Sequence, residues 1–390
     1  MGPLPLRRGY VSTAGGPVAN AWPEWLLLLD WVQAQTSAGE DLMARNNGKL
    51  TAIDADGHFL ERRDDIAAYL DPEWRHRESP LWPGGQPWDT ELGGKLGTKG
   101  YSRKLNAAQQ VDFWHKILDK YDMETAILFP TGSGNMAKLQ EPGFAEAATK
   151  AANIHFARDY MTDRLKPVGV LPMRNPKAAV QELKRVKKLG LPGVEVLTDG
   201  LPFGLGDPFF DPVWAEAEKL GLVIGIHGTR HWSHDWGADK LRSFAEVHCY
   251  AFPAGLILNF TSVLAQGVPV KFPKLRMAFL EVGATWLPYY LARLDEHWEL
   301  RGDVEMPLLK KKPSDIFRKS NIWVSLEAEE PLLAETVDFV GAEHLLYASD
   351  IPHWDGEFPG NLQRLRGLNT LGRDAKEKIL YSNAKQLFRV

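Results

Sequence analysis

Thr51-Ala52-Ile53-Asp54-Ala55-Asp56-Gly57-His58 passes from a short apolar run into alternating acids and ends on a histidine. A doubly wound open sheet advertises a glycine-rich phosphate turn after its first strand, and this stretch carries none. Downstream, short runs rich in Val, Ile and Leu recur at residues 125–129, 167–171, 193–197, 222–226, 276–280, 322–325 and 345–348. They are too short for buried helices and have the composition of strands covered on both faces. Helical patterns lie between them. Residues 176–189 begin with proline and stop at Gly190, and a second such segment runs from Asp211-Pro212 to Gly221. Residues 286–300, 331–340 and 375–388 read similarly. Counting residues 51–53 as the first, eight strands alternate with helices. Parallel strands need crossover connections, so the pattern predicts an α/β fold, a (β/α)8 TIM barrel.

The barrel domain is expected over residues 51–390, behind an N-terminal extension of residues 1–50 that holds one amphipathic stretch at 23–35. A long insertion after the first strand, residues 59–124, carries Trp74, Trp82, Trp88 and Trp114. It reads either as a lid over the catalytic face or as a surface excursion that packs its own tryptophans.

Composition narrows the function. The 390 residues are 44% hydrophobic and 25% charged, as in an ordinary globular protein. With 46 basic against 50 acidic residues, the net charge of −4 supplies no positive field for nucleic acid or an anionic membrane. A small molecule is the expected partner. Cys249 is the single cysteine, which excludes an internal disulfide and fits a reducing compartment. The most apolar early stretch, residues 25–29, is far short of the roughly 20 residues a membrane span needs. Arg7 and Arg8 precede Gly, Tyr, Ser and Thr instead of the apolar core of a signal peptide. The expectation is a cytoplasmic protein.

Chemistry gathers at the strand ends. Asp56 and His58 lie two residues apart and project together from one side of a strand. His227 follows the fifth strand and Asp350 follows the eighth. The C-terminal ends of barrel strands converge on one mouth, so these four side chains can meet around one divalent ion. Taken singly each has a plainer reading: Asp56 capping a turn, His227 satisfied in the core, Asp350 a loop acid. The strand-five loop adds Arg230, which can pair with a substrate carboxylate, and His231, Trp232 and Trp236, of which the tryptophans can stack on a ring. His231 and His234 read equally as surface groups, and His248 as a core histidine.

In combination these motifs are specific. Ile53-Asp54-Ala55-Asp56-Gly57-His58 with Glu61 resembles the opening strand of the decarboxylase-like branch of the amidohydrolase superfamily, the group named for aminocarboxymuconate-semialdehyde decarboxylase. Val168-Gly169-Val170-Leu171-Pro172, Phe279-Leu280-Glu281-Val282-Gly283, and Tyr347-Ala348-Ser349-Asp350 with Pro352-His353 are similar to its third, sixth and eighth strand regions. The resemblance runs from about residue 50 to the C-terminus. It implies a mononuclear metal site ligated by Asp56, His58, His227 and Asp350, with Asp350 also shuttling protons, and it implies a homodimer or higher homo-oligomer. Thr198-Asp199-Gly200 follows strand four where a bridging lysine would stand, which disfavours a binuclear site. Two imidazoles and two carboxylates suit Zn, with Mn or Fe as rivals.

One departure bears on the reaction. Decarboxylases of this branch carry a strand-six histidine and glutamate, and Glu281 and Ala284 stand at those positions here. The expectation is therefore a metal-dependent hydrolase of a small aromatic or carboxylated substrate, using metal-activated water with Asp350, Glu281 and His227 as catalytic groups. The alternative is a non-oxidative decarboxylase of a hydroxyaryl or related unsaturated acid. Glu281 reads equally as a structural group bonded to a neighbouring strand end.

Overall fold

A computed structural model describes residues 50–77, 105–228 and 236–390, all within one unit, Gly48–Val390. The N-terminal extension, residues 78–104 with Trp82 and Trp88, and residues 229–235 with Arg230, His231, Trp232 and His234 lie outside the described residues. The strands are β1 (Ala52–Phe59), β2 (Met123–Pro130), β3 (Leu165–Pro167), β4 (Gly169–Val170), β5 (Gly193–Leu197), β6 (Val223–His227), β7 (Arg276–Leu280), β8 (Ile322–Leu326) and β9 (Leu345–Tyr347). Every pairing is parallel, in two ladders, β1-β2-β3 and β4 through β9. β3 and β4 are halves of one stave interrupted at Val168, whose N–H still donates to Leu128 O at 3.0 Å. β1 extends well beyond the expected residues 51–53, because Asp54, Asp56 and His58 are all buried within it.

No ladder joins β9 to β1. The chain just beyond β9 is instead tied to β1 by two backbone bonds, Asp350 N–H to Asp56 O at 3.0 Å and His58 N–H to Ile351 O at 2.6 Å. The buried Asp54 carboxylate adds a third tie, accepting both the N–H and the hydroxyl of Ser349.

Side chains alternate across each stave. Ile53, Ala55, Ile127, Phe129, Val168, Val223, Ala278, Leu280, Trp323 and Leu346 form an inner cluster, which Ala384, Leu387 and Phe388 join from the C-terminal helix. The intervening residues, among them Val194, Val196, Ile224, Ile226 and Phe279, belong to the larger cluster that includes the surrounding helices. Each fully buried residue of this kind contributes about 1.5–3 kcal/mol, so the two apolar layers dominate the stability. The expected Pro176–Leu189 helix forms, with the Asn175 side chain capping Ala178 N–H and Gly190 ending it at φ +82°. The closing segment is Arg373–Glu377, a π turn over Lys378–Ser382, and Asn383–Phe388. Its Asn383 amide donates to the carbonyls of Ala342 and Leu345.

The described parts of the insertion brace β1. The Ala107–Tyr121 helix starts in an Asn106/Gln109 capping box. It sends buried Gln110 to both backbone groups of Leu60 and the Trp114 indole N–H to His58 O at 3.1 Å. The 22-residue Phe244–Ala265 helix is, among the described residues, the one long and apolar enough to cross a membrane; half of that apolar window is buried in the fold.

Arg366, mostly buried, donates to three carbonyls: Leu50 before β1, and Tyr121 and Asp122 at the end of the bracing helix. Arg366→Met leaves these acceptors short of donors. We expect a loss of about 2–4 kcal/mol in unfolding free energy by urea denaturation; an unchanged midpoint would show that water replaces the guanidinium without cost.

Candidate metal centre

Asp56 and His58 face the mouth from β1, His227 is the last residue of β6, and Asp350 lies three residues beyond β9. The fold brings all four together. His227 Nε2 is 2.9 Å from Asp56 Oδ1, and His58 Nε2 is 3.4 Å from Asp56 Oδ1 and 3.3 Å from Asp350 Oδ1. Two overlapping sets offer ligand atoms that all lie within 4.8 Å of one another: Asp56, His58 and His227, and His58, Glu281, Asp350 and His353. Ligands bonded to one ion at about 2.0–2.2 Å stand up to about 4.2 Å apart, so modest side-chain adjustment closes either set on a cation.

Unsatisfied atoms mark the same place. Asp56 Oδ2 and His58 Nδ1 are buried without a hydrogen-bond partner, and His58 Nε2 has only the long contacts to Asp56 and Asp350. Each such atom costs about 1–3 kcal/mol unless something coordinates it. The Phe129 ring, 4.9 Å from that of His227, closes one side with apolar surface.

Around these atoms imidazoles and carboxylates alternate. Burial opposes charge on His227, but Asp56 and Glu281, which flank it at 2.9 Å each, hold its pKa well above the usual value. Burial likewise opposes charge on Glu281, and His227 with His353 outweighs it, keeping that carboxyl well below its ordinary range. Asp350 is lowered against its burial by His353, whose Nδ1 lies 2.6 Å away. His353 is raised in turn, against burial, by Asp350 and Glu281.

Backbone strain aims the two carboxylates. Glu281 at φ 74° and Asp350 at φ 54° are both left-handed non-glycine residues, a conformation that persists only where surrounding bonds enforce it. Glu281 N–H donates to Ser325 Oγ at 2.9 Å. The turn after it is held by Glu330, which accepts from the N–H groups of Ala284 and Thr285 at 2.8 and 2.7 Å. Glu281 thus bonds a neighbouring stave through its backbone while its carboxylate faces the centre.

His353, named above only as part of the eighth-strand motif, also joins the centre. Its Nδ1 lies 2.6 Å from Asp350 and 3.3 Å from Glu281, and its Nε2 meets Thr131 Oγ1 at 3.2 Å. The signal was its place three residues after Asp350 on the same strand-end loop. Glu61 also acquires a purpose, accepting N–H bonds from Thr131, Gly132 and Ser133 and so folding the loop after β2. Trp236 is half-buried against Ala238, Val247 and Ala251, and the His248 ring sits 4.5 Å from that of Phe252, with Nε2 3.4 Å from Asp355.

Comparison with known proteins identifies the family. An amidohydrolase family profile matches residues 53–390. A 2-amino-3-carboxymuconate-6-semialdehyde decarboxylase of Dictyostelium discoideum is 28% identical over 68% of this chain and 72% of its own length. A gamma-resorcylate decarboxylase of Rhizobium radiobacter is 25% identical over 70% of this chain and 86% of its own. The crystal structure of a dihydroxybenzoic acid decarboxylase from Polaromonas sp. JS666, with bound manganese and the inhibitor 2-nitroresorcinol, superposes with a TM-score of 0.62 at 20% identity, covering 87% of this chain and 97% of that one. With the profile spanning every stave and all four converging side chains, the chain belongs to the amidohydrolase family.

Proposed function

We propose that this enzyme is a metal-dependent, non-oxidative decarboxylase of a hydroxyaryl or related unsaturated acid, in preference to the hydrolase expected from residues alone. The observation that carries this reading is the Asp350–His353–Glu281 array, in which one imidazole touches two carboxylates. It supplies an imidazole–carboxylate pair beside the centre, although Glu281 and Ala284 replace the strand-six histidine and glutamate. The relatives whose names include decarboxylation support the same choice.

Asp56, His58, His227 and Asp350 would hold the ion. A divalent cation there would supply Lewis-acid charge that orients an anionic substrate. Asp350 and His353 share a proton across 2.6 Å. Asp350 delivers it to the ring carbon bearing the carboxylate; the bond to that carboxylate then breaks, its electron pair restores the ring, and CO2 leaves. Glu281 keeps His353 and His227 in place, and water returns the proton. The two carboxylates admit manganese as well as zinc, and the manganese in the Polaromonas structure favours the former. The exposed thiol of Cys249 fits a reducing cytoplasm.

Incubating the manganese-loaded enzyme with a panel of hydroxybenzoic acids should release CO2 with uptake of one solvent proton into the ring. Turnover of esters or amides instead, with 18O entering the product from water, would return the assignment to hydrolysis. His353→Gln should lower kcat by about 10²–10⁴-fold while the metal content stays near that of the unaltered enzyme; full activity would remove His353 from the proton path.

Metal binding has a fixed sign with pH. Metal-free His227 holds a proton between Asp56 and Glu281, and a cation must displace it, so affinity falls as pH falls. Calorimetry in buffers of different ionisation enthalpy should record proton release on manganese binding at pH 7. Binding without release would place the ion elsewhere.

A further inference from the structure

The inner layer of the barrel is apolar on most staves, and β5 departs from this. Val194 and Val196 belong to the outer cluster with the helices, so Glu195 turns inward. It pairs in register with Gly225, two residues before His227, and only 4% of its surface is exposed. Its Oε2 has no hydrogen-bond partner. That oxygen presses on Gly134, in the 3-10 turn Ser133–Lys138 that follows β2, where a Cβ would collide with it. Glycine is required there for the loop to close over the carboxyl. Ser133, the preceding residue, is fully buried, and its Oγ is also without a partner.

An unpaired buried polar atom costs about 1–3 kcal/mol, which packing alone does not repay. Nothing in the proton path above uses either atom. Burial pushes the Glu195 carboxyl up to about 8, against the pull of His227 and with the repulsion of Glu61, Glu281 and Asp56. Burial therefore favours the neutral carboxyl, which adds no further negative charge beside those acids.

We infer that Glu195 is a specificity-determining residue whose carboxyl group hydrogen-bonds an oxygen substituent of the bound aromatic acid. The inference rests on the aromatic-acid reading above. An acid lacking that oxygen would leave Glu195 buried and unpaired, so the site would discriminate against it.

The test compares the manganese-loaded enzyme with its Glu195→Gln and Glu195→Met variants, titrated calorimetrically with 2-hydroxybenzoate and with benzoate. Glutamine keeps a donor and should bind 2-hydroxybenzoate within about threefold of the unaltered protein, whereas methionine should weaken it by about 10–100-fold. Benzoate should shift by no more than about twofold in either variant, since it makes no such bond. Manganese content should be the same in all three, and the unliganded Tm of Glu195→Met should be unchanged or higher, because an unsatisfied polar group has been removed. Equal losses for both acids, no loss for either, or a fall in Tm would each overturn the inference and make Glu195 a structural residue. All three titrations are made in the His353→Gln background, where turnover is slow and manganese is retained, and CO2 release is assayed on the otherwise unaltered enzyme. Discrimination without CO2 release would therefore defeat the decarboxylase reading alone, and CO2 release without discrimination would defeat this inference alone.

Discussion

The site depends on the clasp that joins the two ends of the barrel. Asp54 on β1 accepts both hydrogens of Ser349, and Asp350 N–H reaches Asp56 O. Residues nearly three hundred positions apart are thereby fixed one hydrogen bond from each other, and His58 meets Asp350 at 3.3 Å as a result. Buried charged groups are tolerable only when paired, and the clasp sets the pairing. Burial pushes the Asp54 carboxyl up to about 7 even with the Ser349 bonds opposing it.

From this follows a centre that is costly in isolation. Left-handed backbone at Glu281 and Asp350 and orphaned atoms on Asp56 and His58 oppose stability while no cation is bound. The surrounding scaffold offsets them. Apolar layers lie on both faces of the staves, Trp114 and Gln110 brace β1, and Glu330 holds the turn after β7. Rigidity of that kind keeps ligand atoms within reach of one ion across wide sequence separations.

The staves were legible because parallel strands covered on both faces must be short, continuous and apolar, and because helices must separate them. The convergence of Asp56, His58, His227 and Asp350 followed from where barrel strands end. β1 reads as shorter than it is, since Asp54, Asp56 and His58 look like a polar loop until their buried partners are known. His353 was hidden for a related reason: a single imidazole on a loop gains meaning only from Asp350 and Glu281 pressed against it. Glu195, an acid in an otherwise apolar run, gave no sign in the sequence of the unpaired oxygen it carries inward. The expectation of hydrolysis turned on Glu281 and Ala284, and residues aligned by position could not reveal that His353 lies against Glu281 and Asp350 from another stave.

A crystal of the protein grown with manganese and measured at the manganese absorption edge tests the central claim most directly. The account predicts one anomalous peak per chain, bonded at about 2.0–2.3 Å to oxygen or nitrogen atoms of Asp56, His58, His227 and Asp350. A peak away from these residues, or none at saturating manganese, would contradict it.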